Sequence, residues 1–269
     1  MGLTSSEDRH GAIGVFDSGV GGLTVFREIA RALPRERLIY LGDSARVPYG
    51  TKSPATVVRY SLEAARHLMS RNVKMLVVAC NTATAAALPV LKEQLSIPVI
   101  GVVEPGARAA VDRTSGVVGV IATEGTVRAK AYTNAIHAID PKIKVIESAA
   151  PLFVPLAEEG WANTHVAREV AEIYLEPLID AGIDTLVLGC THYPILRGTI
   201  EQVVGGAVQI VDSAETTAQV VKEALGGRTT GVPNPEHHFL VTDAEERFRR
   251  IAGEFLEREI MNLELVSLT

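Results

Sequence analysis

The sequence predicts an α/β protein made of two similar domains with mostly parallel sheets, related by a pseudo-twofold, with a cleft between them. Three observations carry that prediction. The apolar run Met75, Leu76, Val77, Val78, Ala79 stops on Cys80 and gives way to Asn81, Thr82 and an alanine-rich segment. A buried parallel strand reads this way when it ends at the carboxyl edge of a sheet and turns into a helix. The second of the two cysteines repeats the setting, with Thr185, Leu186, Val187, Leu188 and Gly189 running into Cys190, Thr191 and His192. The elements before each cysteine also follow one order: a strand with a hydroxyl or carboxylate tip, a helix, a strand, a helix, a strand tipped by cysteine. An internal duplication of weak sequence identity explains that order.

The first strand, over 13–16, runs into Asp17, Ser18, Gly19, Val20, Gly21 and Gly22. Glycines at a strand-to-helix turn let the backbone approach a ligand and turn its amides toward an anion. The order is neither GxGxxG nor GxxxxGK[ST], so a carboxylate-bearing small molecule suits this turn better than a nucleotide. Asp17 either faces that ligand or caps the helix. A second strand over 38–41 leads into a loop of turn residues over 42–50. Ser53 as N-cap and Pro54 at the first position announce the next helix, with Val58, Leu62, Ala65 and Met69 on its inward face. After the Cys80 strand, a strand over 98–103 is expected to end in a turn at Glu104, Pro105 and Gly106.

The pattern then restarts. A strand over 116–121 ends near Thr123 and Thr126, and a helix carrying Tyr132, a strand over 143–146 and a loop over 151–160 follow. A long helix over 164–181 would bury Val166, Val170, Ile173 and Leu178, kink at Pro177 and end at Gly182. Beyond the Cys190 strand come a strand over 208–211, a helix from Ser213, a Gly/Pro-rich connection over 226–235 and a strand over 239–241. A last helix opens with Thr242 and Glu245 as a capping box. The expected first domain is 11–103 plus 212–269, the second is 104–211, and residues 1–10 form a polar tail.

Bulk properties exclude several classes of partner. Net charge is −6 and no long run of Lys or Arg occurs, so neither nucleic acid nor an acidic membrane is implied. Two cysteines without CxxC spacing point to free thiols in a reducing cytoplasm. The longest uncharged run, over 75–91, is interrupted by Asn81, Thr82, Thr84 and Pro89, which reads as strand and helix, not a membrane span. Gly2 fits a loose acylation pattern, for which a polar tail is the plainer account. His237 and His238 lack further ligands at helical spacing, and no metal is expected.

Two thiols facing each other across a cleft would reach a bound molecule from opposite sides. One thiolate and one thiol are a base and an acid of matched strength, and inversion of a carbon stereocentre needs that opposed placement. A free thiol of pKa about 8.5 is a few per cent ionised at pH 7, a deficit of roughly 2 kcal/mol. Helix amides, with Asp17 and His192 as neighbouring bases, are the candidates to supply it. Ser18, Asn81, Thr82, Thr123, Thr126 and Thr191 offer donors for carboxylates and for the carbanion charge. No Schiff-base lysine is evident, so no pyridoxal cofactor is implied.

Four motifs in order give the site a closer definition. These are Phe16-Asp17-Ser18-Gly19-Val20-Gly21-Gly22-Leu23, the loop from Gly42-Asp43 to Val47-Pro48-Tyr49-Gly50, Ala79-Cys80-Asn81-Thr82-Ala83-Thr84, and Leu188-Gly189-Cys190-Thr191-His192-Tyr193-Pro194. They closely resemble the signatures of the bacterial glutamate racemases, and the resemblance runs from about Ile13 to the C-terminus. It implies cofactor-independent conversion of L-glutamate to D-glutamate for peptidoglycan synthesis, and dimers of variable arrangement. It also implies that Cys80 and Cys190 transfer protons, and that Asp17-Ser18, Tyr49-Gly50, Asn81-Thr82 and Thr191-His192 bind substrate. Asp43 and Glu158 match further acidic residues near the family's site, Glu158 more loosely because Glu159 adjoins it. One departure is Ala150, where the family often has cysteine before the Pro-Leu-Phe-Val-Pro-Leu segment. Aspartate-type relatives usually carry Glu after the second Cys-Thr pair, whereas this chain has His192.

Overall fold

The structure, a computed structural model, describes residues 11–227, 231 and 233–268. The polar tail expected over 1–10 and part of the connection over 226–235 lie outside the described residues. Two parallel sheets organise the chain. The first contains β1 (Ala12–Asp17), β2 (Leu38–Gly42), β3 (Val73–Val78), β4 (Val99–Gly101), β9 (His238–Val241) and β10 (Leu263–Leu265) in the order β10-β9-β2-β1-β3-β4. The second contains β5 (Val117–Ala122), β6 (Lys144–Ala149), β7 (Thr185–Gly189) and β8 (Gln209–Asp212) in the order β6-β5-β7-β8. All the strand pairings are parallel.

The order β2-β1-β3-β4 is repeated as β6-β5-β7-β8. Equivalent strands therefore stand at equivalent places, and the cysteines follow β3 and β7, which each pair with the central strand of their unit. β1, β2, β3 and β7 are buried along their whole lengths. Helices on both faces leave no wet side, which is why these strands read as unbroken apolar runs instead of alternating ones. Parallel alignment also sends every strand's carboxyl end to the same edge of its sheet. β1, β3, β5 and β7 thus deliver Asp17, Cys80, Thr123 and Cys190 to the two edges where ligands bind in open α/β sheets.

Helix boundaries and faces differ from the expectations at several points. In α2 (Pro54–Ser70) the buried residues are Val57, Ser61, Ala64, Ala65 and Leu68, while Val58, Leu62 and Met69 are only partly buried. In α8 (His165–Asp180) the buried face is Ala167, Ala171, Leu175 and Leu178, and Ile173 is 68% exposed. Close helix packing selects alanine on the contact side and leaves the larger Ile173 outside. Glu104, Pro105 and Gly106 form the first turn of α4 (Val103–Arg113), not a loop. Proline is tolerated there because the first-turn amides have no intrahelical acceptor. The expected loop over 151–160 contains the short helix α7 (Phe153–Glu158). The capping box at α11 (Glu245–Leu256) is absent: Ala244 precedes the helix, and Thr242 instead donates to Asp43 and accepts from the Ala45 amide.

The two apolar residues Leu175 and Ile173 of α8 should separate cleanly in urea denaturation. Leu175→Ala should cost about 2–5 kcal/mol because it empties a fully buried position. Ile173→Ala should change stability by less than about 0.5 kcal/mol, as surface substitutions usually do. Equal losses at both positions would contradict the inward face assigned here.

Candidate active site

Cys80 sits at the N-cap of α3 (Asn81–Gln94), and its sulfur accepts from the Ala83 amide at 3.4 Å. The strand stops there because the extended backbone of Cys80 already presents its side chain to the first amides of the helix. The Cys80 thiol also donates to Ser18 Oγ at 3.5 Å. Asp17, at the tip of β1, is buried and accepts from the Gly19 amide through Oδ2 at 2.9 Å. Gly22, not Asp17, occupies the N-cap of α1 (Leu23–Ala32). Among the described residues Asp17 Oδ1 has no hydrogen-bond partner. Burial raises the Asp17 carboxyl above its ordinary value, against the pull of a positive His192. Burial and then the nearby Asp17 charge push the Cys80 thiol up to about 12.

The second cysteine has a different neighbour. Cys190 Sγ lies 3.9 Å from His192 Nδ1, and His192 Nε2 lies 3.0 Å from Glu158 Oε1. Glu158 Oε2 accepts from Arg247 of α11 at 2.9 Å. Burial alone would lower the His192 pKa, but its hydrogen bonds and charge interactions with Cys190 and Glu158 outweigh burial and raise it to about 10. Burial would likewise raise Glu158, yet His192 and Arg247 hold it below the usual carboxylate value. A cationic imidazole beside a sulfur is the partner a thiolate requires.

The two edges meet. Thr24 of α1 donates to the Thr191 carbonyl at 2.9 Å, and Thr82 of α3 shares a 2.8 Å hydrogen bond with Thr123 at the tip of β5. Thr123 in turn contacts Thr126 at 3.1 Å and caps α5 (Glu124–Arg128). A Cβ at Gly21 would overlap both the His192 ring and Thr191 Oγ1, so glycine is what allows the β1 turn to close on the Cys190 loop. The charge on one sulfur is felt at the other, as it is between Asp17 and His192. Both cysteines are nearly inaccessible, at 6% and 5% exposure.

Asp17, Ser18, Cys80, Asn81, Thr82, Thr123, Thr126, Cys190, Thr191, His192 and Glu158 thus gather at one junction. Gly50 belongs to its rim, since a Cβ there would press on Thr123. Asp43 is buried, but its carboxylate is engaged by Tyr49 at 2.5 Å, Arg46 at 2.6 Å and Thr242 at 2.9 Å. It therefore fixes the loop that carries Tyr49 and Gly50. Three contributors escaped the sequence reading: Thr24, Arg247 and Tyr132, whose hydroxyl donates to Asn81 Oδ1 at 2.8 Å. A helical threonine, an exposed arginine and a core tyrosine carry no local signal of such partners.

The chain resembles known proteins in both sequence and fold. The Asp/Glu/hydantoin racemase family matches residues 13–221. The chain belongs to that family. It is 57% identical over 262 residues to a glutamate racemase from Geobacter metallireducens, covering 96% of this chain and 97% of that one. A glutamate racemase isoform from Bacillus anthracis superposes with a TM-score of 0.93 at 43% identity, covering 97% and 98% of the two chains. A glutamate racemase from Francisella tularensis, solved in complex with D-glutamate, gives 0.91 at 39% identity with the same coverage.

The charge arrangement around Cys190 is measurable. Folding raises the His192 pKa from 6.5 to about 10, so the His192 contribution to stability is full below about pH 6.5 and is lost as pH rises through about 10, whereas that of Glu158, held below its ordinary value, is lost as pH falls into the acid range. Imidazole NMR should show His192 titrating near the upper value, and Glu158→Gln should move that titration down. A wild-type titration at the ordinary histidine value would refute the ion-paired arrangement.

Proposed function

We propose that this racemase-family chain interconverts L- and D-glutamate without a cofactor, through a two-base mechanism in which Cys80 and Cys190 act from opposite sides of the bound amino acid. One observation carries the reading. Two like-ordered sheets bring two cysteine-tipped strands to one junction, each sulfur beside a different ionisable neighbour. The choice of glutamate is supported by the relatives' names and by His192 after Cys190-Thr191 in place of the Glu usual in aspartate-type relatives.

The proton inventory favours one starting state. Cys80, pushed up to about 12, carries its proton at neutral pH, while protonated His192 can offset a negative charge on Cys190. The Cys190 thiolate takes the α-proton, the electron pair of that C–H bond stays on the α-carbon and its carboxylate, and the Cys80 thiol delivers its proton to the opposite face. The inverted amino acid leaves behind a Cys80 thiolate and a Cys190 thiol, which is the starting state for the other direction. The side-chain donors of Asn81, Thr82, Ser18 and Thr191 bind the carboxylates and the developing charge. Asp17 stands as the carboxyl beside Cys80, protonated His192 stands beside Cys190, and Glu158 holds His192. D-glutamate so formed would supply peptidoglycan synthesis, in a reducing cytoplasm that keeps both thiols free.

Incubation with glutamate in deuterated solvent tests the reading. Wild type should exchange the α-hydrogen and equilibrate the enantiomers, whereas Cys80→Ser and Cys190→Ser should each lose at least about 100-fold in racemisation, the usual scale for a positioned acid or base. Absence of exchange in wild type would sink the enzyme assignment, and full-rate serine variants would sink the two-base mechanism. Faster turnover of aspartate than glutamate would overturn the substrate.

A further inference from the structure

We infer that Tyr132 is a positioning residue that sets the Asn81 side-chain amide for substrate, through a hydrogen bond between the two units. The inference rests on the glutamate reading above and deepens it. Asn81 follows Cys80 and opens α3, while Tyr132 lies in α6 (Ala131–His137) of the other unit. Both side chains are buried, and the Tyr132 hydroxyl donates to Asn81 Oδ1 at 2.8 Å. With its oxygen held, the amide must turn Nδ2 away from the tyrosine. That Nδ2 is buried without a hydrogen-bond partner among the described residues. A buried donor left unmet is costly in a folded protein and is therefore rare outside sites that await an acceptor. A glutamate carboxylate is such an acceptor, and Asn81 stands next to one of the two proton-transfer cysteines.

The chain also makes room for this ring. A Cβ at Gly189, the residue before Cys190, would come within 2.9 Å of Tyr132 Cε2. A Cβ at Gly106 of α4 would come within 3.2 Å of Cε1 and 3.3 Å of the hydroxyl. Tyr132 is thus threaded between the end of the Cys190 strand and α4 so that its hydroxyl emerges at Asn81. The bond joins the two units and fixes the amide, so substrate meets a fixed donor instead of a rotating one.

Steady-state kinetics of Tyr132→Phe, which keeps the ring and its packing, test this. The KM for both glutamate enantiomers should rise about tenfold, the scale of one lost hydrogen bond, with kcat changed by less than about threefold, because a binding contact shared by ground and transition states has been loosened. Asn81→Ala should raise KM at least as much, and the double variant should be no worse than Asn81→Ala alone. Gly106→Ala supplies a second probe, because its methyl would press on the Tyr132 ring and hydroxyl. KM should rise about two- to threefold, measured at a temperature where the variant is folded. Unchanged KM in both Tyr132→Phe and Gly106→Ala, or losses that multiply in the double variant, would overturn the inference. Failure of wild type to turn over glutamate would instead overturn the function it rests on, and the inference with it.

Discussion

The candidate site depends on two parallel sheet edges being held together, with polar side chains meeting at the junction and a shared apolar core behind them. Neither edge is a site alone. The first presents Asp17, Ser18 and Cys80, and the second presents Thr123, Cys190 and His192. Directed contacts between them include Thr24 to the Thr191 carbonyl, Thr82 to Thr123 and Tyr132 to Asn81, set against a shared apolar core that holds Val20 and Leu23 of the first unit with Ile121 and Leu188 of the second. The directed contacts are hydrogen bonds between neutral groups, each worth only about 0.5–1.5 kcal/mol net. Both sulfurs are almost sealed from solvent within the junction.

Closure also sets the electrostatics. Removing water from the junction raises the cost of every charge in it. Asp17 and Cys80 bear that cost directly, since burial is the first cause of the upward shift in each. His192 escapes it because its hydrogen bonds and charge interactions with Cys190 and Glu158 outweigh burial, and Arg247 steadies Glu158 from the far side. Arg247 belongs to α11, which follows a strand of the first sheet, while Glu158 belongs to α7, which follows a strand of the second. The ion pair that secures the Cys190 neighbourhood is therefore itself part of the junction.

Strand ends were readable from residues alone, and helix faces and long-range partners were not. A buried parallel strand announces itself as an apolar run, and its end is marked by the residues that follow, so Asp17, Cys80, Thr123 and Cys190 could be placed at sheet edges without coordinates. The repeated element order foretold two like units because topology is encoded in sequence order. By contrast, Ile173 was misplaced because hydrophobicity alone cannot tell a close helix contact, which prefers Ala167 and Ala171, from an exposed flank. Thr242 looked like a cap because the competing acceptor, Asp43, stands 199 positions away. Asp43 matched the family's acidic position, yet only geometry reveals that Tyr49, Arg46 and Thr242 absorb its carboxylate.

The duplication accounts for two sulfurs but not for their inequality. Equivalent strands β3 and β7 carry the cysteines, so a strictly symmetric pair of units would give them identical neighbours. Here Cys80 has a carboxylate nearby and Cys190 an imidazole. The difference matters because a two-base reaction cannot begin with both groups in the same protonation state. Two thiols offer no base, and two thiolates offer no acid. A carboxyl beside one sulfur and an imidazole beside the other make the two positions unequal before substrate arrives. In the proposed two-base reaction, symmetry in the backbone would supply opposed approach and asymmetry in the side chains would supply direction. One turnover would exchange the states, leaving a thiolate beside Asp17 and a thiol beside His192.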